Sequence, residues 1–395
     1  MARVLMMCGK GGVGKTTVAA ATAAACAQRG HRTLIISFDL AHNLSDAFDV
    51  GQTLFDQNRG RTRRVADNLD IQEIDVHQDL QRNWQHIQKF TASFMASTGM
   101  SDIVAEELGV LPGMEDLIAL LYINRYVDEG TYDVVVVDCP PTAEALRFVG
   151  TATALSWYAR KRLRVDRTLM RLTAPIAKHV SDAPLPPKEY FDEIEQLTQQ
   201  LQGVDRVLMN PRITTVRMVT NAEKIVVKET QRAYMYFNMY GIVTDTIIIN
   251  RVFPEGDGYL KHWAERQVRY MNEIDEHFSP VPVKRLPLLE DEVIGIDEVR
   301  KMGQMIYGSD DPASFFVEAR PHTIEKDGGG YVLRVRMPFV DKAEAELSRA
   351  DDDLLIRVGS FQRHVALPRT VARLQTGSAR FNRDELEIRF VEANS

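Results

Sequence analysis

Short apolar runs alternate with helix-forming stretches along the first three hundred residues. The predicted strands are residues 4–8, 33–38, 68–75, 132–138, 214–220, 246–250 and 281–286, and residues 134–137 are apolar on both faces. Strands that are apolar on both faces are typical of a parallel sheet covered by helices. Regular alternation of such strands with helices therefore predicts an α/β fold with a doubly wound, mostly parallel sheet.

Two long stretches between these strands have helical periodicity. In residues 77–127 the apolar side chains recur every three or four positions, for example from Trp84 to Phe94. Residues 153–202 are also helical in pattern, with interruptions at prolines. We predict that these two stretches form a helical subdomain within a first domain that spans residues 1–312.

The pattern changes after residue 312. Short runs that alternate apolar and polar residues occupy residues 331–337, 354–358, 364–367 and 385–391, with no long helical stretch between them. Such alternation is typical of strands with one buried and one solvated face. It predicts a second domain, a small β-sandwich over residues 320–395. We expect Gly328-Gly329-Gly330 to tether this domain to the first one.

A glycine-rich segment joins the first predicted strand to the first predicted helix. Residues 9–17 read G-K-G-G-V-G-K-T-T and precede an alanine-rich stretch. In this setting the backbone N–H groups can turn inward toward phosphate oxygens, assisted by the positive end of the helix dipole. The residues that offer these groups are Gly11, Gly12, Val13 and Gly14. The segment predicts a nucleotide-binding phosphate loop.

Three side chains of this loop are candidates for chemistry. Lys15 can reach the β- and γ-phosphates, and the hydroxyl of Thr16 can bind Mg²⁺. Lys10 is not required by an ordinary phosphate loop. It is the mark of the deviant Walker A class, in which this lysine crosses a dimer interface to the partner's nucleotide. The alternative interpretation of Lys10 is a solvated surface lysine.

Polar residues follow other predicted strands, at the edge where ligands bind in open α/β sheets. Asp39 can orient or deprotonate an attacking water, or it can serve as a helix N-cap. Asp138 ends a fully apolar strand, as in a Walker B motif, and can hold Mg²⁺ through water. Asn250 is placed to hydrogen-bond an adenine edge. Cys139 is either a reactive thiol or, more simply, a small packed residue.

Composition and charge restrict the partners. The 395 residues are 45% hydrophobic and 26% charged, as in an ordinary globular protein, and the net charge is −7. This acidic balance argues against a nucleic-acid partner, and no apolar run reaches the roughly 18 residues of a membrane span. The three cysteines are widely spaced, and the N-terminus leads directly into a strand. We expect a cytoplasmic protein without a signal peptide or a disulfide framework.

These motifs resemble those of the arsenical-pump ATPase family, which also contains the ATPase that guides tail-anchored membrane proteins. Residues 9–17 are similar to its phosphate loop, and residues 39–46, D-L-A-H-N-L-S-D, to its switch I, with Leu40 in place of proline. The further matches are residues 138–142 with switch II, residues 219–224 and 249–251 with two adenine-side segments, and residues 286–288 with the adenine loop.

The resemblance implies a homodimer that hydrolyses ATP with Mg²⁺ and has its switches at the dimer interface. It implies that Lys10 acts in trans on the partner's nucleotide and that Asp39 acts on the water. The other implied positions are Lys15 and Thr16 on phosphate and Mg²⁺, Asp138 on Mg²⁺, Thr17 on the α-phosphate, Asn250 on adenine and Pro287 in the adenine loop.

The C-terminal part resembles an α-crystallin (small heat-shock protein) domain through residues 333–342 and 365–368. Residues 359–361 replace the long loop through which bacterial relatives exchange strands, and the tail lacks their I-x-I anchor. We therefore expect this domain to serve the ATPase dimer rather than to build a large shell.

Other family features are absent from the sequence. The arsenite-binding cysteines, the C-x-x-C zinc site and a duplicated ATPase half are missing, and a methionine-rich client insert is not visible. The first two absences argue against a metalloid pump subunit. The missing second half implies that dimerisation is between chains, and the missing insert argues against membrane insertion. The basic cluster at residues 160–165 is either a membrane- or client-contacting helix or, more simply, a solvated helix face.

Two functions of different classes follow from this pattern. The leading hypothesis is an ATPase that switches the binding of hydrophobic protein segments by its helical subdomain. The alternative is a passive holdase with vestigial ATP turnover. A positioning ATPase and an iron–sulfur reductase are disfavoured, because the chain ends in a β domain and only Cys139 lies near a cluster position. The sequence identifies neither a client nor a membrane receptor.

Overall fold

A computed structural model describes residues 2–38, 43–50, 60–74, 79, 84–87, 89, 92–93, 114–161, 188–254, 260–317, 321–350 and 352–392. At its centre is an eight-stranded sheet with the order β3-β4-β2-β5-β1-β6-β7-β8. These strands are β1 Arg3–Cys8, β2 Thr33–Ser37, β3 Arg63–Ala66, β4 Leu69–Glu73, β5 Val134–Asp138, β6 Thr214–Thr220, β7 Thr244–Val252 and β8 Val283–Pro287. Neighbours are parallel except for the antiparallel edge pair β3–β4.

Helices cover both faces of this sheet. They are α1 Lys15–Gln28, α2 Asn43–Ala47, α3 Met114–Glu129, α4 Thr142–Lys161, α5 Lys188–Gln200, α6 Val204–Met209, α7 Lys224–Tyr240, α8 Lys261–Phe278 and α9 Ile296–Tyr307. Alternate strand residues enter two cores: Leu5 and Met7 pack with α1 and α9, whereas Val4 and Met6 pack with α3, α4 and α7. The central strands β1, β2 and β5 are mostly apolar because both of their faces are buried, and the predicted doubly wound α/β fold is confirmed.

The sequence pattern predicts neither β3 nor helices α8 and α9. Strand β3 carries two arginines and is half exposed, so it lacks the apolar signal of the central strands. Helix α8 buries only Ala264, Gln267, Ile274 and Phe278 of its eighteen residues. These four residues are three, seven and four positions apart and so lie on one face of an amphipathic helix, a periodic signal that the prediction overlooked.

The C-terminal region is a two-sheet antiparallel sandwich, as predicted. One sheet has the order β14-β15-β10-β9 and the other β11-β12-β13. The strands are β9 His322–Asp327, β10 Gly330–Arg336, β11 Ala345–Ala350, β12 Asp353–Val358, β13 Phe361–Ala366, β14 Gln375–Asn382 and β15 Glu385–Val391, and the short helix α10 is Arg369–Ala372. Of these, β9, β11 and β14 were not predicted, since their outward faces are mostly exposed.

The glycine triplet does not form the predicted tether. Gly328 and Gly329 have φ values of 55° and 95° and make the turn between the paired strands β9 and β10. Gly330 begins β10, where a Cβ atom would clash with the carbonyl of Phe390. The triplet was misassigned because a tight hairpin turn and a flexible linker both favour glycine.

The sandwich packs directly against the first domain. The rings of Tyr236 in α7 and Phe361 in β13 have centroids 4.1 Å apart. Arg363, only 3% exposed, donates a hydrogen bond to the carbonyl of Met239 at the end of α7. Burial lowers the pKa of Arg363 to about 10. A guanidinium at the carbonyl end of a helix is favourably placed in the helix dipole, so this contact docks the two domains.

Parts of the predicted helical subdomain are described and parts are not. Helices α3, α5 and the end of α4 lie within residues 77–127 and 153–202, and the remainder of those ranges lies largely outside the described residues. The basic cluster at residues 160–165 also falls mostly outside them. Among the helices that the structure describes, none is long and apolar enough to cross a membrane.

Candidate functional site

The phosphate loop lies where the sequence places it, between the carboxyl end of β1 and the start of α1. Two of its glycines are required by contacts from other strands. A Cβ atom on Gly9 would clash with the carbonyl oxygen of Val219, and Gly14, with φ of 91°, faces the side-chain amide of Asn250. The loop can curl over the sheet edge only because these positions lack side chains.

Lys15 extends into this loop rather than into solvent. Its residue is 7% exposed, and its Nζ donates a hydrogen bond to the carbonyl oxygen of Lys10 at 3.3 Å. An ammonium group has three N–H donors, so this single long bond leaves donors for an anion. The backbone N–H groups at the start of α1 point to the same place, which makes the loop an anion site.

Thr16 and Asp138 meet at the centre of the site. The Thr16 hydroxyl donates to Asp138 Oδ2 at 2.8 Å, and the Ser37 hydroxyl approaches the same oxygen at 3.4 Å. A hydroxyl and a carboxylate are the hard oxygen ligands that Mg²⁺ prefers, usually together with water and phosphate. The donor set therefore fits the predicted ion, with Thr16 and Asp138 as the residues that would hold it.

A cavity of about 580 Å³ opens beside the loop. Its lining includes five predicted residues: Gly14, Thr16, Thr17, Asn250 and Pro287. This volume is within the usual range for a small-molecule site. The structure thus brings the phosphate-side and adenine-side predictions together around one space, although they are more than 230 positions apart in the sequence.

Asn250 braces the phosphate loop. Its Nδ2 donates to the carbonyl of Val13 at 2.9 Å, and its Oδ1 accepts the backbone N–H of Arg251 at 2.9 Å. Its own carbonyl accepts a hydrogen bond from the side chain of Asn221 at 2.8 Å. These contacts fix where the amide faces the cavity, and its role toward adenine stays a prediction.

Two residues near the site were not assigned a role from the sequence. Arg251 has a left-handed φ of 57°, and its NH1 donates to the carbonyl of Gly12 at 3.0 Å, so it supports the loop from outside. Glu73 ends β4 and accepts hydrogen bonds from the start of helix α2. The sequence analysis missed it because the predicted strand ran to residue 75, whereas β4 ends at Glu73.

Most of the remaining predicted residues lie in or beside the phosphate loop. Gly11, Gly12 and Val13 form the loop, and Lys10 is partly exposed there. Asp39 lies outside the described residues. Cys139 is 2% exposed, and a hydrogen bond with the Cys8 thiol together with burial holds the pKa of its thiol well above the usual range. A thiol that stays protonated is a packed residue rather than a nucleophile.

A parallel sheet with a phosphate loop after β1, a buried aspartate after β5 and a cavity at the carboxyl edge defines a P-loop nucleotide hydrolase. Residues 2–308 match the family model described as anion-transporting ATPase, and residues 328–390 match the one described as an HSP20-like domain found in ArsA. The chain belongs to the ArsA ATPase family.

Full-length relatives support this assignment. The chain is 41% identical over 392 residues to a putative arsenical pump-driving ATPase 1 of Aquifex aeolicus, which covers 98% of this chain and 99% of that protein. It is 35% identical over 394 residues to a putative arsenical pump-driving ATPase of Chlorobaculum tepidum, with 98% and 96% covered. The matched length therefore includes both domains in each of these relatives.

Proposed function

We propose that this ATPase works as a homodimer in which ATP binding and hydrolysis switch the affinity for hydrophobic protein segments. Family membership supports ATP hydrolysis, and the client class is proposed because the family also contains the ATPase that guides tail-anchored membrane proteins. Mg²⁺ would neutralise phosphate charge when bound, held by Thr16 and Asp138. Lys15 orients the phosphates, and Asn250 and Pro287 form the adenine side of the cavity.

The observation that carries this proposal is the path of helix α4. It begins at Thr142, four residues after Asp138, and so starts at the phosphate edge of the sheet. It also packs against helix α3 and against strand β13 of the sandwich. A shift of the Asp138 loop with nucleotide state is therefore transmitted to both the helical region and the sandwich.

A cavity in the helical region offers a place for such a switch to act. It measures about 520 Å³, and its wall includes Trp84, Ile118, Leu121 and Tyr122. These four residues suit an apolar side chain, while the other seven lining residues are polar or charged: Asp79, Asn124, Arg125, Asp128, Glu129, Gln196 and Gln200. Most of the lining residues belong to α3 and two to α5, so a movement of α3 that follows α4 would change the shape of this cavity and with it the affinity for a client.

The test compares one peptide in two nucleotide states. The Asp39→Asn variant should keep ATP bound while its turnover slows by roughly 10²-fold, as expected on losing a positioned base. A fluorescent peptide with an apolar helix face should bind this ATP-loaded dimer and the ADP-loaded parent with different affinities, because only differential affinity can be switched. The same peptide with its apolar residues changed to serine is the control.

The second candidate, a passive holdase, predicts the opposite result. Equal peptide affinity in both nucleotide states would favour it and contradict the switch. A parental turnover rate in Asp39→Asn would remove the water-activating role of Asp39 while leaving the peptide comparison intact.

The proposed deviant Walker A role of Lys10 requires a second subunit. Lys10→Ala chains and Asp39→Asn chains should each be inactive alone. When mixed, they should recover one working site per heterodimer, if that site takes Lys10 from one chain and Asp39 from the other. Inactivity at all mixing ratios, with heterodimers demonstrated by mass spectrometry, would contradict action in trans.

The relatives' names raise arsenite as an effector, and the ligands of this chain do not favour it. Cys8, Cys26 and Cys139 are all buried, and no cluster of three metal-ligating groups occurs among the described residues. We expect arsenite to leave turnover unchanged and the purified protein to contain no stoichiometric zinc. Elemental analysis showing about one zinc per dimer would contradict this expectation.

A further inference from the structure

The carboxylate of Glu73 holds the beginning of helix α2. Glu73 is the last residue of β4 and pairs in register with Ser37 of β2. Its Oε1 accepts hydrogen bonds from the backbone N–H groups of Leu44 at 2.9 Å and Ser45 at 3.0 Å. Its Oε2 accepts the hydroxyl of Ser45 at 2.6 Å. One side chain thus makes three hydrogen bonds to the first turn of the helix.

Helix α2 depends on contacts of this kind. It has five residues, and isolated helices shorter than about 12 residues are marginal in water. Its first N–H groups have no partner within the helix, and an anion at that end is favoured by the dipole. Glu73 supplies both the acceptors and the negative charge, although it comes from a different element.

The other contacts of α2 leave it little freedom. The side chains of Leu44 and Phe48 are buried in the core. At its far end, the carbonyl of Ala47 accepts the N–H of Gly295, just before helix α9. The helix is therefore fixed along its length, and Glu73 is the fixed point nearest its beginning.

Helix α2 is also a wall of the nucleotide cavity. Asp46 and Ala47 line the same cavity as Gly14, Thr16 and Thr17. The position of helix α2 relative to the phosphate loop is thus set at two ends. At its beginning the three hydrogen bonds of Glu73 to Leu44 and Ser45, here called the Glu73 clamp, hold it, and at its far end the hydrogen bond from Gly295 does. In the sequence, the predicted water-activating Asp39 precedes Leu44 by five positions.

We propose that Glu73 is a positioning residue for ATP hydrolysis. It is not among the residues that line the nucleotide cavity, and it sets the reaction rate by holding helix α2 at the distance from the phosphate loop that hydrolysis requires. The proposal needs ATP hydrolysis alone and is independent of client binding and of the Lys10 contact in trans.

The kinetic test uses the full chain with graded changes at Glu73. Glu73→Ala should lower kcat about tenfold, since a displacement near 1 Å can cost up to about 10²-fold. The dissociation constant for ATP should stay within about threefold, because the phosphate loop is untouched. Glu73→Gln, which keeps an acceptor for the Leu44 and Ser45 N–H groups, should recover most of the lost kcat.

Asp70→Asn is the matched control on the same strand. Asp70 also accepts hydrogen bonds, from Arg64 and Tyr132, but has no contact with α2. Its kcat should stay within about twofold of the parent, even where the free energy of unfolding falls. An equal loss of kcat in Asp70→Asn and Glu73→Ala would show a general effect of stability and overturn the proposal.

Hydrogen exchange tests the clamp without relying on turnover. In Glu73→Ala the amides of Leu44 and Ser45 should lose protection by about tenfold or more, while those of β4 keep theirs. Ser45→Ala should add little to Glu73→Ala in kcat, because both remove parts of one contact. Unchanged exchange at Leu44 and Ser45, or a parental kcat in Glu73→Ala, would refute the role of Glu73.

Discussion

The two ends of the central sheet both collect charged residues, and these charges do opposite things. At the carboxyl end, Lys15 has one long hydrogen bond and stands at the edge of the nucleotide cavity. At the amino end, Asp245 is fully buried and accepts hydrogen bonds from Arg3 at 3.1 Å, Thr215 at 2.7 Å and Arg217 at 3.0 Å. The first end is open to a ligand, and the second is closed.

The segment that leads to the sandwich closes the amino end. Arg217 donates to the carbonyl of Pro312 at 2.7 Å and to the hydroxyl of Tyr307 at 3.0 Å. The guanidinium of Arg3 lies 4.0 Å from the ring centroid of Phe315. Residues 311–317 are therefore a docked part of the first domain rather than a loose linker.

The ligand site and the structural cluster differ in how many hydrogen-bond donors of their charged side chains are already bonded to protein acceptors. Burial lowers the pKa of Arg3 to about 10, whereas burial of Arg217, which acts in the same direction, is outweighed by Asp245 and Tyr307 together, so that the pKa of Arg217 is raised. Both arginines remain charged at neutral pH, with their donors directed at protein acceptors. Lys15 has donors to spare beside a cavity, and that spare capacity is what binding a phosphate requires.

The largest expected effect is at the closed end. Asp245→Ala leaves two buried guanidinium groups without their carboxylate, which typically costs about 3–5 kcal/mol of unfolding free energy. Urea denaturation would measure the loss. If the ATP affinity of the protein that remains folded also fell, the two ends of the sheet would be coupled. The amino end would then not serve stability alone.

Lys15→Ala should affect ATP affinity rather than the free energy of unfolding. ATP affinity should fall by roughly 10²-fold or more, about 2.7 kcal/mol, because the group that reaches the β- and γ-phosphates is removed. Lys284 is a matched control: its ammonium pairs with Asp310 at 2.9 Å at the closed end. Titration with a fluorescent ATP analogue should show parental affinity for Lys284→Ala, and a comparable loss there would contradict the comparison.

Tyr307→Phe is a milder change to the closed end. It removes a hydroxyl that accepts from Arg217 and shares a 2.8 Å bond with Thr22. Leaving one buried donor unsatisfied should lower the free energy of unfolding by about 1–2 kcal/mol with nucleotide affinity unchanged. Equal stability of variant and parent would show that Arg217 finds another acceptor.

The smallest effect is an alkaline one, at Cys26. Burial raises the pKa of its thiol to about 12, from a usual value near 9. The pKa of the thiol is higher in the folded protein than in the unfolded chain. The protonated, buried thiol therefore contributes to the free energy of unfolding below pH 9, and this contribution is lost as the pH rises toward 12. The parent should therefore lose more unfolding free energy than Cys26→Ala between pH 8 and pH 10.5. Parallel curves would show that the thiol does not ionise on unfolding.

Much of the fold and of the phosphate side of the site was predictable. The central strands are buried on both faces, so each is apolar without reference to its neighbours, and the phosphate loop is one continuous segment. Strand β3, which is half exposed and carries two arginines, gave no comparable signal, since its place in the sheet depends on pairing with β4 rather than on its own composition. Helix α8 has an amphipathic period that the prediction overlooked.

The sequence by itself determined the α/β class, the second β-rich region, the phosphate loop and the acid at the end of β5. These features depend on local periodicity and on short-range spacing. It also indicated Asn250 and Pro287 as members of the same site, through their resemblance to family segments.

Only the tertiary structure decided which distant residues meet. The bond from Asn250 to Val13, the Glu73 clamp on α2 and the docking of Arg363 on Met239 join residues that no local pattern connects. It also placed Gly328 and Gly329 in a hairpin instead of a linker. Such contacts are set by the packing of whole elements, and burial and hydrogen-bond partners exist only once the chain has folded.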